Sequence, residues 1–170
     1  MERLWHRVHL ANRGVAIVIG VGLFALVALI LTDITVRAVG HSLGGTDEIS
    51  GYAMALLTAW GMGYALLEGA HVRIEAAREQ APSLVRNAMD LLSLTSLVAV
   101  VNFVLWRTWP VFSRSWANDS HANTPLETPL WAVQLPWLIG WGWFAFSALI
   151  MLALVLSRLI AHIQYRGTEP

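Results

Sequence analysis

The sequence predicts an all-α integral membrane protein with four transmembrane helices and a short interfacial helix between the second and the third. Three observations predict it. Hydrophobic residues make up 56% of the chain and charged residues 13%, with a mean hydropathy of +0.58, far from the balance of a soluble domain. Four long apolar stretches recur along the sequence, and its charges gather at their ends or between them. The 170 residues, at about 20 per crossing, allow roughly three to five crossings and no separate aqueous domain. Residues 1–170 are therefore expected to form a single membrane domain, with spans near 14–39, 49–68, 86–108 and 134–158.

The first span is free of charge from Gly14 to Leu31 and keeps a helical pattern to Val39, past Asp33 and Arg37. Those two stand four residues apart, the spacing of an ion pair on one helix face. A basic start with Arg3, Arg7 and Arg13 suits a signal segment, but the apolar run is longer than the ~7 to 15 residues of a cleaved signal core. A retained signal anchor is expected. The turn that follows, "GHSLGGTDE" (40–48), offers Thr46 or Asp47 as caps for the second helix and places Glu48 in its first turn, where the helix dipole favours a carboxylate.

The second span, 49–68, carries Gly51, Ala55, Ala59 and Gly63 at every fourth position. Small residues let another helix approach closely, and in lipid that van der Waals contact replaces the drive water would supply. The stripe fits either a partner protein or this chain's own bundle. Beyond it, residues 71–86 place Val72, Ala76, Ala77 and Leu84 against Arg73, Glu75, Arg78 and Glu79, the pattern of a helix lying on the membrane surface. Pro82 and Ser83 mark the start of the third helix. Residues 110–129 are polar and Pro-punctuated and read as a loop, and Pro136 marks the expected start of the last spanning helix.

Orientation follows from arginine, since all 11 basic residues are Arg. With four crossings, Arg3, Arg7, Arg13, Arg73, Arg78, Arg86, Arg158 and Arg166 share one side, and only Arg37, Arg107 and Arg114 fall on the other. The positive-inside rule then puts both termini in the cytoplasm. Trp106, Trp109, Trp116, Trp131 and Trp137 gather on the outer side, as an aromatic belt does.

The same residues exclude several functions. No cysteine is present, which removes disulfides, thiolate metal sites and thiol redox chemistry. Acidic and basic residues balance at 11 each, so nothing points to nucleic acid. Transporters that move ions hold charged or unwound segments near the bilayer midplane, whereas here Asp33, Arg37, Asp47, Glu48, Glu68, Asp90 and Arg107 all stand at or beyond helix ends. His6, His9, His41, His71, His121 and His162 lie in tails, loops or boundaries, not facing one another as haem ligands would. No cofactor, metal site or catalytic constellation is expected. The chemistry of the chain is association.

The stretch "GTDEISGYAMALLTAWGMGYALLEGAHVRIE" (45–75) closely resembles the signature region of the small permease subunit of tripartite ATP-independent periplasmic (TRAP) transporters, the DctQ-like family. Its features here are the acidic pair Asp47 and Glu48, then Trp60 and Gly61, then Gly69 and His71 running on to Arg73 and Glu75. "TPLETPLWAVQLPWLIGWG", with Pro129, Trp131, Pro136 and Gly140, is similar to the family's entry into its last helix. Two departures are mild: Leu67 stands where the family often has a basic residue, and Asp47-Glu48 replaces the commoner paired Glu. The resemblance implies a division of labour. A periplasmic solute-binding protein captures a small organic solute, a large sodium-coupled permease subunit moves it inward, and the small subunit braces the large one in the bacterial inner membrane. His71, Arg73 and Glu75 would form a hinge at the inner surface, or simply a solvated helix end. The reading from another class is a stand-alone, self-assembling small channel or transporter.

Overall fold

Hydrocarbon offers a backbone no hydrogen-bond partner, so a chain this apolar has to satisfy its N–H and C=O groups within each segment, and helices do that. The computed structural model describes residues 2–68 and 82–166, and it contains four helices among them: α1 (Glu2–Ala38), α2 (Thr46–Leu67), α3 (Ser83–Ala117) and α4 (Leu130–Arg166). No strand occurs among the described residues; one isolated bridge joins His121 and Pro129. Among the described residues three helical segments are long and apolar enough to cross a membrane: Val8–Ala38, Val85–Ala117 and Leu130–Ser157. Of the surface helix expected over residues 71–86, residues 71–81, with His71, Arg73 and Glu75, lie outside the described residues, as does Gly69, and residues 83–86 belong to α3.

The helices form an open row. α1 packs on α2, α2 on α4, and α4 on α3, and these three pairings carry the extended contacts. A closed four-helix bundle would need a fourth, between α1 and α3. The burial of the three apolar segments follows the row: 33% of the best apolar window of α4 is buried, against 11% for α3 and 6% for α1. The core therefore sits around α4, where Phe144, Ala145 and Ala148 meet Leu66 of α2 and Leu94 and Val101 of α3. α1 and α3 end the row and present broad apolar faces outward, with Phe24 79% exposed and Leu92 70%.

The helices outrun the apolar stretches. α3 continues through Pro110 to Ala117, where a loop is expected from residue 110, and α4 begins at Leu130, ahead of Pro136. Each proline removes a single backbone donor, and neither stops its helix. Aromatic packing holds the overrun of α3. The Phe112 ring lies 5.7 Å from Trp109 and 6.1 Å from Trp116, and Trp116 meets Trp131 of α4 edge-on at 5.0 Å.

Backbone chemistry sets the turns. At the end of α1 the His41 N–H donates to the Val36 carbonyl and the Gly40 N–H to that of Arg37, with Gly40 at φ +87°, the Schellman arrangement that needs a left-handed residue. α3 ends alike, Ser120 N–H donating to the Ser115 carbonyl with Asp119 at φ +45°; Asp is one of the few residues that tolerate that region. Neither Thr46 nor Asp47 caps α2. The N-cap is Gly45, left-handed at φ +69° and without a side-chain cap, because two consecutive left-handed glycines, Gly44 and Gly45, swing the chain into the helix one residue early. Pro82 is likewise the N-cap of α3, with Ser83 its first helical residue.

Candidate functional site

Three joints hold the row together, and most of the residues singled out in the sequence fall in or beside them. The first lies about two-thirds of the way along α2. Trp60 donates its indole N–H to the Pro136 carbonyl at 3.0 Å, so its ring lies across α4. Gly140 allows this: a Cβ there would fall 2.8 Å from the Trp60 ring and 3.1 Å from the Ala59 Cβ. Gly61, on another face of α2, looks toward α1, where an added Cβ would meet Ile19 at 3.7 Å. The two stretches that carry the family resemblance, far apart in the chain, thus touch through Trp60, Pro136 and Gly140.

The second joint lies near the end of the row where α2 finishes. Asn12 of α1 is fully buried. Its Nδ2 donates to the Val8 carbonyl and its Oδ1 accepts the Trp143 indole N–H of α4, each at 3.0 Å. Gly63 makes room beneath it, since an added Cβ would meet Asn12 Oδ1 at 3.0 Å and the Trp143 ring at 3.2 Å. Here one amide ties α1 to α4 across the backbone of α2. His9 Nδ1 stands 3.8 Å from Glu68 at the same end.

The third joint is at the opposite end, where residues 39–45 and 118–129 lie. Asp33 is buried and receives the Arg37 guanidinium at 2.7 Å and the Leu43 N–H at 3.0 Å, so the expected i,i+4 pair also anchors the turn between α1 and α2. Glu48 reaches the other way. Its Oε1 accepts the Thr128 hydroxyl at 2.8 Å and the Tyr52 hydroxyl at 2.9 Å, joining α2 to the 118–129 loop. The loop is itself pinched by Ala122 N–H to the Thr128 carbonyl and Leu130 N–H to the Ser120 carbonyl, both at 2.9 Å. Glu48 Oε2 is buried without a partner in hydrogen-bond geometry. The Thr124 hydroxyl acts most strongly on the carboxylate, followed on the same side by Thr128, Tyr52 and the Leu126 backbone, and together they hold its pKa below the ordinary value against a desolvation that raises it. Asp47 is almost fully exposed, 3.7 Å from Arg37.

The small-residue stripe divides. Ala59 and Gly63 are buried against α4 and Asn12, whereas Gly51 and Ala55 are exposed, with open space around Gly51. A four-residue step on a helix of 3.6 residues per turn drifts by about 40°, hence about 120° from Gly51 to Gly63, so one stripe cannot serve one neighbour throughout. Trp131 and Pro129 belong to the aromatic contact and the loop bridge. Gly69, His71, Arg73 and Glu75 lie outside the described residues.

Chemically, this arrangement positions helices. Among the described residues no three His, Asp or Glu side chains come together as metal ligands, and the groove between α1 and α2, about 500 Å³ beside Val18, Leu57 and Trp60, is apolar. Sequence reasoning passed over Asn12, which reads as one more polar residue of a basic tail, and Thr128, which lies 80 residues from its partner Glu48. A signal for Asn12 was its place one residue before Arg13, at the edge of the apolar run.

Comparison with known families matches residues 26–160 to the DctQ component of tripartite ATP-independent periplasmic transporters. No curated protein and no solved structure matches the chain.

Proposed function

The chain belongs to the family of DctQ components of tripartite ATP-independent periplasmic transporters, and from that premise we propose that it is the non-catalytic small membrane subunit that braces a large, sodium-coupled permease subunit. A periplasmic binding protein would deliver the small organic solute. The observation that carries this reading is how the chain spends its polar groups. Asp33, Glu48, Asn12 and Trp60 each hold two elements of the same chain together. The open row meanwhile leaves wide apolar faces on α1 and α3, which suits a body that lies against another membrane protein better than one that encloses a passage.

In this proposal α2 is the fourth crossing. Residues 49–67 of this helix reach about 28 Å at 1.5 Å per residue, close to a hydrocarbon core of about 30 Å, and leave Glu48 outside it. Its Gly, Thr, Tyr and acidic residues keep it out of the three most apolar segments, and its place between α1 and α4 spares it part of the contact with lipid. Arginine placement puts both termini in the cytoplasm, with the 118–129 loop periplasmic and Glu48 beside it at the outer surface. The segment containing His71, Arg73 and Glu75 would lie along the inner surface.

Three measurements test the reading. Co-expression with a large permease subunit should give a stable complex, and deleting this chain should abolish solute uptake. Liposomes holding this chain alone should pass no solute. Flux from those liposomes would support the stand-alone transporter and reject the brace.

A further inference from the structure

Asn102 stands out on α3. It is exposed, yet its neighbour Val101 is buried in the cluster with Phe144, Ala145 and Ala148, near the middle of the apolar Leu130–Ser157 segment. Asn102 therefore lies within the hydrocarbon, about 7.5 Å along the helix from Arg107. A primary amide carries two N–H donors and a carbonyl acceptor. Among the described residues Asn102 makes one hydrogen bond, from Nδ2 to the Val98 carbonyl at 2.8 Å. Thr32, Thr35 and Thr58 are also exposed, but each has a single proton and gives it to the carbonyl four residues back. They can face lipid. Asn102 cannot discharge its second N–H and its carbonyl that way, and hydrocarbon offers them nothing.

The surroundings form a face. Thr95, Ala99, Asn102 and Trp106 follow one another at spacings of four, three and four, and all are exposed. They lie within roughly 60° of arc, about a third of a turn from the side on which Leu94 and Val101 meet α4. The geometry points to this face of α3 as the seat of a transmembrane helix of the large permease subunit, one that presents an amide or hydroxyl side chain to Asn102 within the hydrocarbon. Ala99, on one side of Asn102, leaves that helix room to approach, and Trp106, on the other, packs along it. The assignment rests on the small-subunit reading above. A lipid chain has no donor or acceptor at that depth. A second copy paired through Asn102 in the same orientation would set Trp106, 68% exposed, and Phe103, 58% exposed, against their own images. Those rings would hold like helices apart and forfeit the close approach that Ala99 offers.

The absence of cysteine allows one to be placed at will. In membranes containing both subunits, Ala99→Cys labelled with a thiol-reactive benzophenone should, on illumination, give an adduct with the combined mass of the small and large subunits. Asn102→Leu should lower that adduct and the co-purified large subunit by about 3- to 20-fold, from the spread of measured intramembrane hydrogen-bond energies, while Asn102→Gln retains most of both. Circular dichroism and gel filtration of the Asn102→Leu chain check its fold. An adduct between two copies, or with lipid alone, in a complex that still co-purifies would overturn this face while leaving the subunit role intact. Equal adduct yield from a folded Asn102→Leu chain would remove Asn102 from the contact, and failure of the unsubstituted chain to co-purify would overturn both readings.

Discussion

Trp60 and Gly140 pack so closely that a methyl group does not fit between them. A Cβ at residue 140 would stand 2.8 Å from the Trp60 ring, and the ring is not free to swing, because its N–H is held by the Pro136 carbonyl. Gly140→Ala should therefore lower stability by about 1–3 kcal/mol, the usual range for overpacking, seen as a drop in thermal midpoint in detergent. Gly142, with nothing within 4 Å of an added Cβ, is the control, and Gly142→Ala should be neutral. Trp60→Phe frees the ring and should recover part of the loss. Equal midpoints for the two alanine variants would contradict this packing.

Asn12 and Trp143 form a second joint with a different physical basis. Asn12→Ala leaves the N–H of the half-buried Trp143 without its acceptor, which costs up to about 3 kcal/mol. Adding Trp143→Phe removes the orphaned donor, so the double variant should lose less than the sum of the singles. Strict additivity in thermal unfolding would show that the hydrogen bond does not couple α1 to α4.

Much of this was legible in the sequence, though unevenly. Apolar length located the helices, because hydrocarbon leaves a backbone no other choice. The Trp60 and Gly140 patches stood out as motifs, but their contact did not: nothing local says that residue 60 meets residue 140. Helix ends were the least legible. Pro110 and Pro136 looked like boundaries, yet each lies within a helix, since aromatic packing of Phe112, Trp116 and Trp131 outweighs the loss of one donor. Thr46 and Asp47 had the right chemistry for a cap, but the left-handed pair Gly44 and Gly45 decides where α2 starts. Asn102 was invisible for another reason, as one amide in an apolar run becomes notable only when its face proves exposed.

Gly44 and Gly45 allow a controlled comparison. Both sit at φ +69°, but an added Cβ at Gly44 meets nothing, whereas at Gly45 it would come within 2.5 Å of Leu126. Alanine at either position bears the left-handed strain of about 1–2 kcal/mol. Gly45→Ala should cost more than Gly44→Ala, and Leu126→Ala should erase that difference. Thermal midpoints of the four variants decide it, and a Gly44→Ala penalty as large as that of Gly45→Ala would mean that the loop does not rest on the turn.

Glu48 ties the 118–129 loop to α2, and its lowered pKa gives the tie a pH signature. A carboxylate stabilised in the folded state keeps its proton off below the ordinary value of 4.5, whereas in the unfolded chain it would titrate near that value. Its contribution is thus fully present above pH 4.5 and is lost as the pH falls through the lower, folded pKa. A dye on the exposed position 123, introduced as Asn123→Cys, should keep a high anisotropy from neutral pH to below 4.5 and lose it only under stronger acid. Glu48→Gln should loosen the loop at neutral pH and flatten that transition, because an amide has no charge to lose to acid and offers Thr128 and Tyr52 a weaker acceptor. An acid transition of the same size and midpoint in the Glu48→Gln chain would assign the loop's anchoring to other groups.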